Sequence, residues 1–390
     1  MSQLSTQDPT WPQQPEGDFE VAGAEPQVRS AREWFFRVVP AFGALRTYTR
    51  RDLGRDALAG LTVATVAVPQ AMAYATIAGI EPIYGLYTAI VVTIVGALFD
   101  SSRQLINGPT NAISIALLSA LAFIPEQDKH ATAVVLALLV GLIQVGIALF
   151  RLGDMTRYIS QAVIVGFTLG ASVLLILDQL KNFLGLKAQG DSAAHFLKRF
   201  WLTMTVGGEV HLPTVTLGCA TILLVLGLRG LNRRLALRRI RIFVPEFLVA
   251  VVGMAALVWG LRLDARGVAV VGKIPAALPS FEVPAASPEL ALKMINSAFA
   301  IALLGLLEAV AMAKAIAAQT RQKLDIHQQC LSEGLANLTG SFFQCFPGSG
   351  SLTRSAINYF AGAATRLSGL FSAVAVALTL LLFEIGRAHV

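Results

Sequence analysis

Long apolar segments, each able to cross or nearly to cross a lipid bilayer, follow one another along most of this chain with only short polar breaks. A spanning helix needs about 20 apolar residues, because in lipid every backbone polar group has to be hydrogen-bonded inside the element. The chain is 55% hydrophobic and 14% charged, which leaves too little charge to cover a soluble domain of this size. The sequence therefore predicts an all-α polytopic membrane protein. Its predicted segments are 56–79, 83–99, 108–124, 130–150, 159–180, 212–228, 243–261, 291–317, 327–345, 350–362 and 367–383.

The basic residues are gathered in short clusters between the apolar segments. The break at 229–241 is rich in arginine, whereas the break at 125–129 sets a single lysine against Glu126 and Asp128. Lys and Arg accumulate on the cytoplasmic side of membrane proteins, so the pattern predicts a multi-pass protein of the cell (inner or plasma) membrane with a cytoplasmic N-terminus. A net charge of +7 is also compatible with nucleic-acid binding, but its distribution favours membrane orientation, and we expect no nucleic-acid partner.

Two of the apolar segments are interrupted in the same way. Residues 107–111 read Asn-Gly-Pro-Thr-Asn, and residues 347–351 read Pro-Gly-Ser-Gly-Ser. Both runs break a helix and offer caps for a new one. Gln70 and Glu308, each in an earlier long helix, stand at matching distances before the two runs, which indicates an internal repeat. Interrupted segments at corresponding places in two halves indicate the substrate site of a transporter.

The interrupted segments also divide the chain. If the first and third segments match the eighth and tenth, the first repeat holds seven helices and the second holds four, so the last three helices of the second repeat are absent from this sequence. The residues after the last apolar segment differ abruptly from it and look non-native. The predicted organisation is a disordered cytoplasmic tail (1–30), an amphipathic interfacial helix (31–55), a first seven-helix repeat (56–261), an extracellular loop (262–290), a partial second repeat (291–383) and a non-native tail (384–390).

An anion site is predicted at the start of the second interrupted helix. The polar residues of this helix fall at i, i+3, i+4 and i+7 and therefore share one face: they are Ser351, Arg354, Ser355 and Asn358. A helix N-terminus favours an anion through its free N–H groups and its dipole, and Arg354 adds a permanently charged donor fork. Thr110 opens the first interrupted helix, so two helix N-termini would converge on the anion. The alternative is that Arg354 only pairs with a buried carboxylate.

The first long helix carries two polar side chains beside a proline. Pro69 removes one backbone hydrogen bond, and irregular backbone at this depth is tolerated where protein or a wet cavity lines it. Gln70 and Tyr74 stand at i and i+4, so they lie on the same face next to the proline. We expect both to face the substrate, with helix-to-helix hydrogen bonding as the alternative.

Glu308 is an acidic residue inside a long apolar segment, where a carboxylate costs about 3 kcal/mol. The residues three and four positions away on its own helix carry no positive charge. The carboxyl group therefore needs a partner on another segment or a proton. Glu308 is the candidate proton-coupling group, and a static ion pair with Arg354 is the alternative.

Nothing in the sequence indicates a metal, a cofactor or enzyme chemistry. The three cysteines are odd in number and lack metal-ligand spacing, and the histidines are scattered. The sequence has no P-loop, which argues against direct coupling to ATP. We therefore expect a protein that is not an enzyme and that uses no cofactor and no metal.

These residues resemble the SulP (sulfate permease) family of anion transporters. The resemblance covers Leu53–Phe383, and its most specific part is Val68–Tyr87, which reads VPQAMAYATIAGIEPIYGLY. Asn107–Ser114, Gly166–Gly185 and Leu304–Gly369 are also similar to the family. The resemblance implies a bacterial member truncated at its C-terminus, without the family's last three helices and its cytoplasmic STAS domain.

The family resemblance implies a fold of two inverted seven-helix repeats, divided into a core domain and a gate domain, in which two half-helices meet at the membrane midplane. It also implies a homodimer and an anion site between the third and tenth helices. Glu308 matches the family's acidic position in the eighth helix, and Thr353 stands where many members have serine. Carried over by matching position, the substrate pocket would consist of Gln70, Tyr74, Thr110, Thr353 and Arg354, with the backbone N–H groups around Gly108 and Ser351.

The predicted function is secondary active transport of an anion across the lipid bilayer by alternating access. Sulfate, bicarbonate and a small dicarboxylate all suit an arginine between two helix N-termini, so the identity of the anion stays open. Coupling to H⁺ is favoured over Na⁺, because Glu308 supplies a proton carrier and no cluster of sodium ligands accompanies it. The alternatives are an uncoupled anion channel or exchanger and a nucleobase permease of related fold. Arg354 and Thr353 argue against the permease, which would be expected to carry an acidic residue there.

Overall fold

The computed structural model describes residues 39–151, 169–170, 173, 176–177, 179–187, 189, 196–237, 246–268 and 276–382. The predicted tail at 1–30, most of the segment at 159–180 and the tail at 384–390 lie outside the described residues. The regular elements are α1 (Pro40–Leu45), α2 (Arg50–Ile77), α3 (Pro82–Phe99), β1 (Asn107–Gly108), α4 (Asn111–Ala120), α5 (Lys129–Leu149), α6 (Phe196–Val206), α7 (Leu212–Leu237), α8 (Glu246–Gly260), α9 (Pro288–Thr320), α10 (Ile326–Ser341), β2 (Ser349–Gly350), α11 (Leu352–Phe360) and α12 (Leu367–Leu382), with short 3₁₀ turns at Glu126–Asp128 and Asp264–Arg266.

Among the described residues, five helices are long and apolar enough to cross a membrane. Large apolar side chains lie exposed along them, such as Leu58 of α2 and Leu223 of α7, as expected for surfaces that face lipid. The half-helix α4 is apolar but shorter. This architecture confirms the prediction of an all-α polytopic membrane protein. The five candidate spans are Arg50–Ile77, Pro82–Phe99, Glu126–Leu149, Leu212–Asn232 and Pro288–Thr320.

Helix α2 begins at Arg50, inside the stretch 31–55 for which the sequence analysis predicts an interfacial helix. Thr49 fixes this start: its hydroxyl accepts a hydrogen bond from the backbone N–H of Asp52 at 3.2 Å, and the Asp52 carboxylate accepts one from the backbone N–H of Thr49 at 3.1 Å. Such a capping box satisfies two N–H groups that a helix start leaves free. The helix then continues through Pro69 to Ile77.

The two halves of the chain pack together along pairs of helices. Helix α5 lies against α10, and α12 lies against both α2 and α3. Glycines permit this close approach, since a Cβ added at Gly141 of α5 would collide with the backbone of Leu338 in α10. Small residues at helix contacts are typical of membrane proteins. The core around β1 and β2 is therefore built from both halves of the chain.

Asp56 joins the start of α2 to the loop that precedes α12. Its side chain is 0% exposed. One carboxylate oxygen accepts hydrogen bonds from the backbone N–H groups of Ala364 at 2.7 Å and Thr365 at 3.0 Å, and the other accepts from the hydroxyls of Thr365 at 2.5 Å and Tyr48 at 3.2 Å. The loop therefore depends on one carboxylate from the other half of the chain.

Replacing Asp56 with alanine is expected to lower the free energy of unfolding by about 2–4 kcal/mol, because it removes a buried carboxylate that accepts four hydrogen bonds and leaves two partly buried N–H groups without an acceptor. Thermal unfolding in detergent measures the effect as a lower apparent Tm. Asp56→Asn should lie between wild type and alanine, because its amide oxygen can still serve the two N–H groups. The exposed Asp264 offers the matched control, and equal effects of Asp56→Ala and Asp264→Ala would contradict this role.

Candidate functional site

The two interrupted segments meet in a short antiparallel ribbon. Strand β1 pairs with β2, with Asn107 opposite Gly350 and Gly108 opposite Ser349. Each strand leads directly into a half-helix, so the N-termini of α4 and α11 both lie at the ribbon. The strands are buried, and pairing them satisfies backbone groups that cannot be left free at this depth. Both half-helices are predicted from the sequence, and the structure adds the hydrogen-bonded ribbon that holds them together.

Each half-helix is capped by the hydroxyl residue that precedes it. The Thr110 hydroxyl accepts a hydrogen bond from the backbone N–H of Ile113, and the Ser351 hydroxyl accepts one from the backbone N–H of Arg354, both at 3.5 Å. The caps use one N–H group in each first turn, and the positive dipole ends of both helices stay at the ribbon.

Side chains from the long helices hold the ribbon in place. Asn337 of α10 donates to the carbonyl oxygen of Gly348 at 3.1 Å and accepts from its N–H at 2.8 Å. Its amide also donates to the side-chain oxygen of Gln144 in α5 at 2.9 Å. The hydroxyl of Ser349 donates to the carbonyl of Gly305 in α9 at 2.8 Å. Gln144 and Asn337 are not among the site residues predicted from the sequence, although an amide inside an apolar helix is itself a signal.

Arg354 is fully buried at the first turn of α11. Its Nη2 donates a hydrogen bond to the carbonyl oxygen of Pro109 at 2.7 Å, whereas its Nε has no hydrogen-bond partner in the described structure. The guanidinium lies directly against Gly108, where an added Cβ would stand 2.7 Å from Nη1. Gly108 has a φ of +145°, a region that only glycine adopts readily. Glycine is therefore required here both for backbone conformation and for space.

Glu308 of α9 also contacts the interrupted segment at 107–111. Its carboxylate accepts a hydrogen bond from the Thr110 hydroxyl at 2.9 Å. Glu308 and Arg354 are near enough to interact electrostatically. Within the described residues, however, they form no direct ion pair, because each is bonded to a neutral partner in residues 109–110. The static ion pair that the sequence left open is therefore not what this structure contains.

The remaining predicted residues differ in burial and in their distance from Arg354. Tyr74 of α2 is partly buried and near enough to Arg354 and Glu308 to interact with both electrostatically. Gln70 is partly buried, and its side-chain oxygen has no partner within the described structure. Thr353, by contrast, is exposed beside the buried Arg354. Contacts thus join Gly108, Thr110, Glu308 and Arg354, and Tyr74 adjoins them.

The polar stripe on α11 is buried, as its spacing suggests, but only part of it adjoins the guanidinium. Ser355 accepts a hydrogen bond from the backbone N–H of Ile106 at 2.9 Å. Asn358 donates to the carbonyl of Gln104 at 3.0 Å and to the hydroxyl of Ser368 at 2.9 Å. These two residues hold the segment 104–106 that leads into β1.

The arrangement has the chemistry that an anion site requires. A buried guanidinium costs several kcal/mol unless its charge is compensated, and the hydrogen-bond partner of Arg354 is a neutral carbonyl. The N-termini of α4 and α11 add the positive ends of two helix dipoles beside this guanidinium. Among the described residues, no group of three or more His, Cys, Asp or Glu side chains is arranged to hold a metal ion.

Comparison with known proteins gives matches over most of the chain. Residues 53–385 match the model of the sulfate permease family. The probable sulfate transporter 4.2 of Arabidopsis thaliana is 35% identical over 354 residues, which cover 90% of this chain and 51% of the plant protein. The chain thus spans about half the length of this curated relative.

Two solved structures share the fold. The murine Solute Carrier 26 family member A9 anion transporter, in the inward-facing state, superposes with a TM-score of 0.84 at 21% identity over 93% of this chain and 62% of that chain. The transmembrane domain of the cyanobacterial bicarbonate transporter BicA superposes with a TM-score of 0.75 at 24% identity, over 88% of this chain and 86% of that chain. At these identities the likeness shows the fold.

Proposed function

Because this chain belongs to the sulfate permease family, we propose that it carries an oxyanion across the membrane as a secondary active transporter. The observation that supports this proposal most strongly is Arg354, a fully buried cation whose hydrogen-bond partner is a neutral carbonyl, at the N-terminal turn of a half-helix. The proposed activity is transport and not an enzymatic reaction, in keeping with the name of a curated relative.

The substrate class follows from the shape of the donors. An arginine fork donates two parallel hydrogen bonds to a planar or tetrahedral oxyanion, and the free N–H groups of α4 and α11 supply further donors. Sulfate, bicarbonate and a small dicarboxylate all present such oxygens. Similar proteins include one named as a sulfate transporter and one named as a bicarbonate transporter, and both of these anions are oxyanions.

Glu308 gives this site a way to couple the anion to a proton. As a carboxylate, it places a negative charge beside Arg354 and competes electrostatically with the anion for that cation. Once protonated, it no longer competes, so proton and anion favour one another's binding. Thr110 relays the change directly, because the same hydroxyl donates to Glu308 and caps α4. H⁺ is therefore the proposed coupling ion, ahead of Na⁺.

Alternating access would move the half-helices and the helices packed on them against the remaining helices. The proposed core comprises α2 to α5 and α9 to α12, and the proposed gate includes α7 and α8, which pack on one another, with α8 also packing on α2. We also propose a cytoplasmic N-terminus, a location in the cell membrane, a homodimer, and the domain division predicted from the sequence. The site residues Gln70, Tyr74, Gly108, Thr110, Ser351, Thr353 and Arg354 are proposed to surround the anion.

Replacing Glu308 with glutamine is expected to remove the dependence of anion uptake on an inward proton gradient, while gradient-independent exchange continues. Glutamine keeps the size of the side chain and an oxygen that can accept the hydrogen bond from Thr110, but its amide does not bind a proton at physiological pH. The measurement is uptake of labelled sulfate, bicarbonate and a dicarboxylate into proteoliposomes, with and without the gradient. Glu289→Gln, at the exposed start of the same helix, is the matched control.

Either of two results would contradict the proposed coupling. A Glu308→Gln variant that still accumulates the anion with the gradient would exclude this carboxyl group as the coupling site. Large unitary currents in wild type, without saturation or exchange, would instead identify an uncoupled channel.

A further inference from the structure

A second cluster of buried polar side chains lies beside the ribbon, away from Arg354. One oxygen of Asp100, Oδ1, accepts hydrogen bonds from the Asn107 amide at 3.2 Å, the Gln329 amide at 2.7 Å and the Ser332 hydroxyl at 2.7 Å. The same Gln329 nitrogen lies 3.4 Å from Glu333 Oε1. We call these five residues the carboxyl cluster. One amide thus bridges two carboxyl groups that the sequence analysis did not single out.

The orientation of the bridging amide is fixed by the backbone. The Gln329 side-chain oxygen accepts hydrogen bonds from the N–H groups of Ser101 at 3.2 Å and Ser102 at 3.3 Å. Its nitrogen must therefore face Asp100 and Glu333. Since the nitrogen is in hydrogen-bond contact with both, the two carboxyl groups are close neighbours inside the protein.

The cluster has more acceptors than donors. Asp100 and Asn107 are each 1% exposed and Glu333 is 0% exposed. Asp100 Oδ2, Glu333 Oε2 and Asn107 Oδ1 are all buried and have no hydrogen-bond partner within the described structure. An unpaired buried acceptor costs about 1–3 kcal/mol. A proton on one carboxyl group would turn one of these oxygens into a donor, which another buried oxygen could accept.

The surrounding charges do not neutralise the pair. The Arg366 guanidinium attracts Asp100 but donates its hydrogen bond to the carbonyl of Ser101 at 3.0 Å, and Arg103 repels Arg366. Glu308 of α9 adds a further negative field at Glu333. Within the described residues, no Lys, Arg or His forms an ion pair with either carboxyl group. Two adjacent buried carboxylates without a paired cation cannot both ionise cheaply.

We propose that Asp100 and Glu333 form a second proton-binding site that holds one proton between them, and that losing this proton weakens anion binding at the ribbon. The second half of this inference rests on the proposed anion site. Asn107 connects the two places, because its side chain donates to Asp100 while its backbone pairs with Gly350 in β2. The proton exchanges with water, and its loss raises the negative charge behind the ribbon by one unit.

The sign of the effect follows from this charge. A second negative charge about 10 Å from an anion, at an effective dielectric constant of about 20, corresponds to roughly a tenfold loss of affinity. Anion affinity should therefore fall about tenfold as the pH rises through the titration of the pair. Removing either carboxyl group should move this titration to lower pH by about 1–3 units, because the repelling neighbour is gone.

Infrared difference spectroscopy of the purified protein during a pH titration tests the proton directly. The C=O band of a protonated carboxyl group should disappear as the pH rises, and its midpoint should shift to lower pH in Asp100→Asn and in Glu333→Gln. Glu308→Gln should keep this band. Ser332→Ala should move the midpoint to higher pH, because it removes a donor from the ionised form of Asp100.

Sulfate binding measured against pH tests the link to the ribbon. In the Glu308→Gln background, which removes the titration proposed for Glu308, sulfate affinity should fall over the range in which the band titrates, and adding Glu333→Gln should abolish this fall. A band that titrates alike in wild type, Asp100→Asn and Glu333→Gln overturns the proposal, as does a midpoint that moves with Na⁺ concentration, which would indicate a cation site. If sulfate does not bind at all, the proposed function fails, while the infrared result still decides the proton site.

Discussion

Replacing Arg354 with alanine is expected to lower anion uptake at least about 30-fold, the equivalent of about 2 kcal/mol or more for a buried charged partner. The variant removes the cation that an anion would neutralise and leaves the two helix N-termini alone to bind it. Labelled uptake into proteoliposomes measures the loss. Arg354→Lys should be intermediate, since it keeps the charge but loses the bidentate fork.

A binding readout separates this effect from misfolding. An anion that binds the folded state raises the apparent Tm, so sulfate should stabilise wild type and leave Arg354→Ala unchanged. The matched control is Arg266→Ala, which removes a cation from the exposed 3₁₀ turn Asp264–Arg266. If Arg354→Ala keeps both uptake and the sulfate-dependent shift in Tm, the anion binds elsewhere.

Replacing Gly108 with alanine is expected to lower the apparent affinity for the anion at least about tenfold, without removing any charged group. The added Cβ would stand 2.7 Å from Nη1 of Arg354, so the guanidinium has to leave its position. The φ of +145° also becomes strained, at a cost of about 1–3 kcal/mol. The measurement is the concentration dependence of uptake, together with the apparent Tm.

The matched control for Gly108 is another glycine with room for a side chain. A Cβ at Gly146 in α5 would meet nothing within 4 Å, so Gly146→Ala should transport normally. A Gly108→Ala protein with normal affinity would show that the position of the guanidinium against the ribbon is not needed for binding.

Local patterns in the sequence predicted the parts of the site that depend on neighbouring residues. The capping-rich runs at 107–111 and 347–351 predict both half-helices, and the spacing of the polar residues on α11 predicts their buried face. Each of these follows from chemistry within a few residues. The fold class follows in the same way from the length of the apolar segments.

Contacts between distant parts of the chain could not be predicted in this way. The pairing of Asn107 with Gly350 and the bond from Thr110 to Glu308 join residues far apart in sequence. The bridge from Asp100 through Gln329 to Glu333 is hidden for the same reason. The exposure of Thr353, next to the buried Arg354, also depends on how α11 rotates against its neighbours.

The ribbon has a consequence for biosynthesis. Strand β1 is translated long before β2, so its backbone groups lack their partners until β2 has emerged from the ribosome. Unpaired backbone is costly in lipid, and contacts of such large sequence separation form slowly. The nascent first half should therefore remain incompletely folded, with β1 shielded by neighbouring protein or water, and the binding site should be among the last parts of the molecule to assemble.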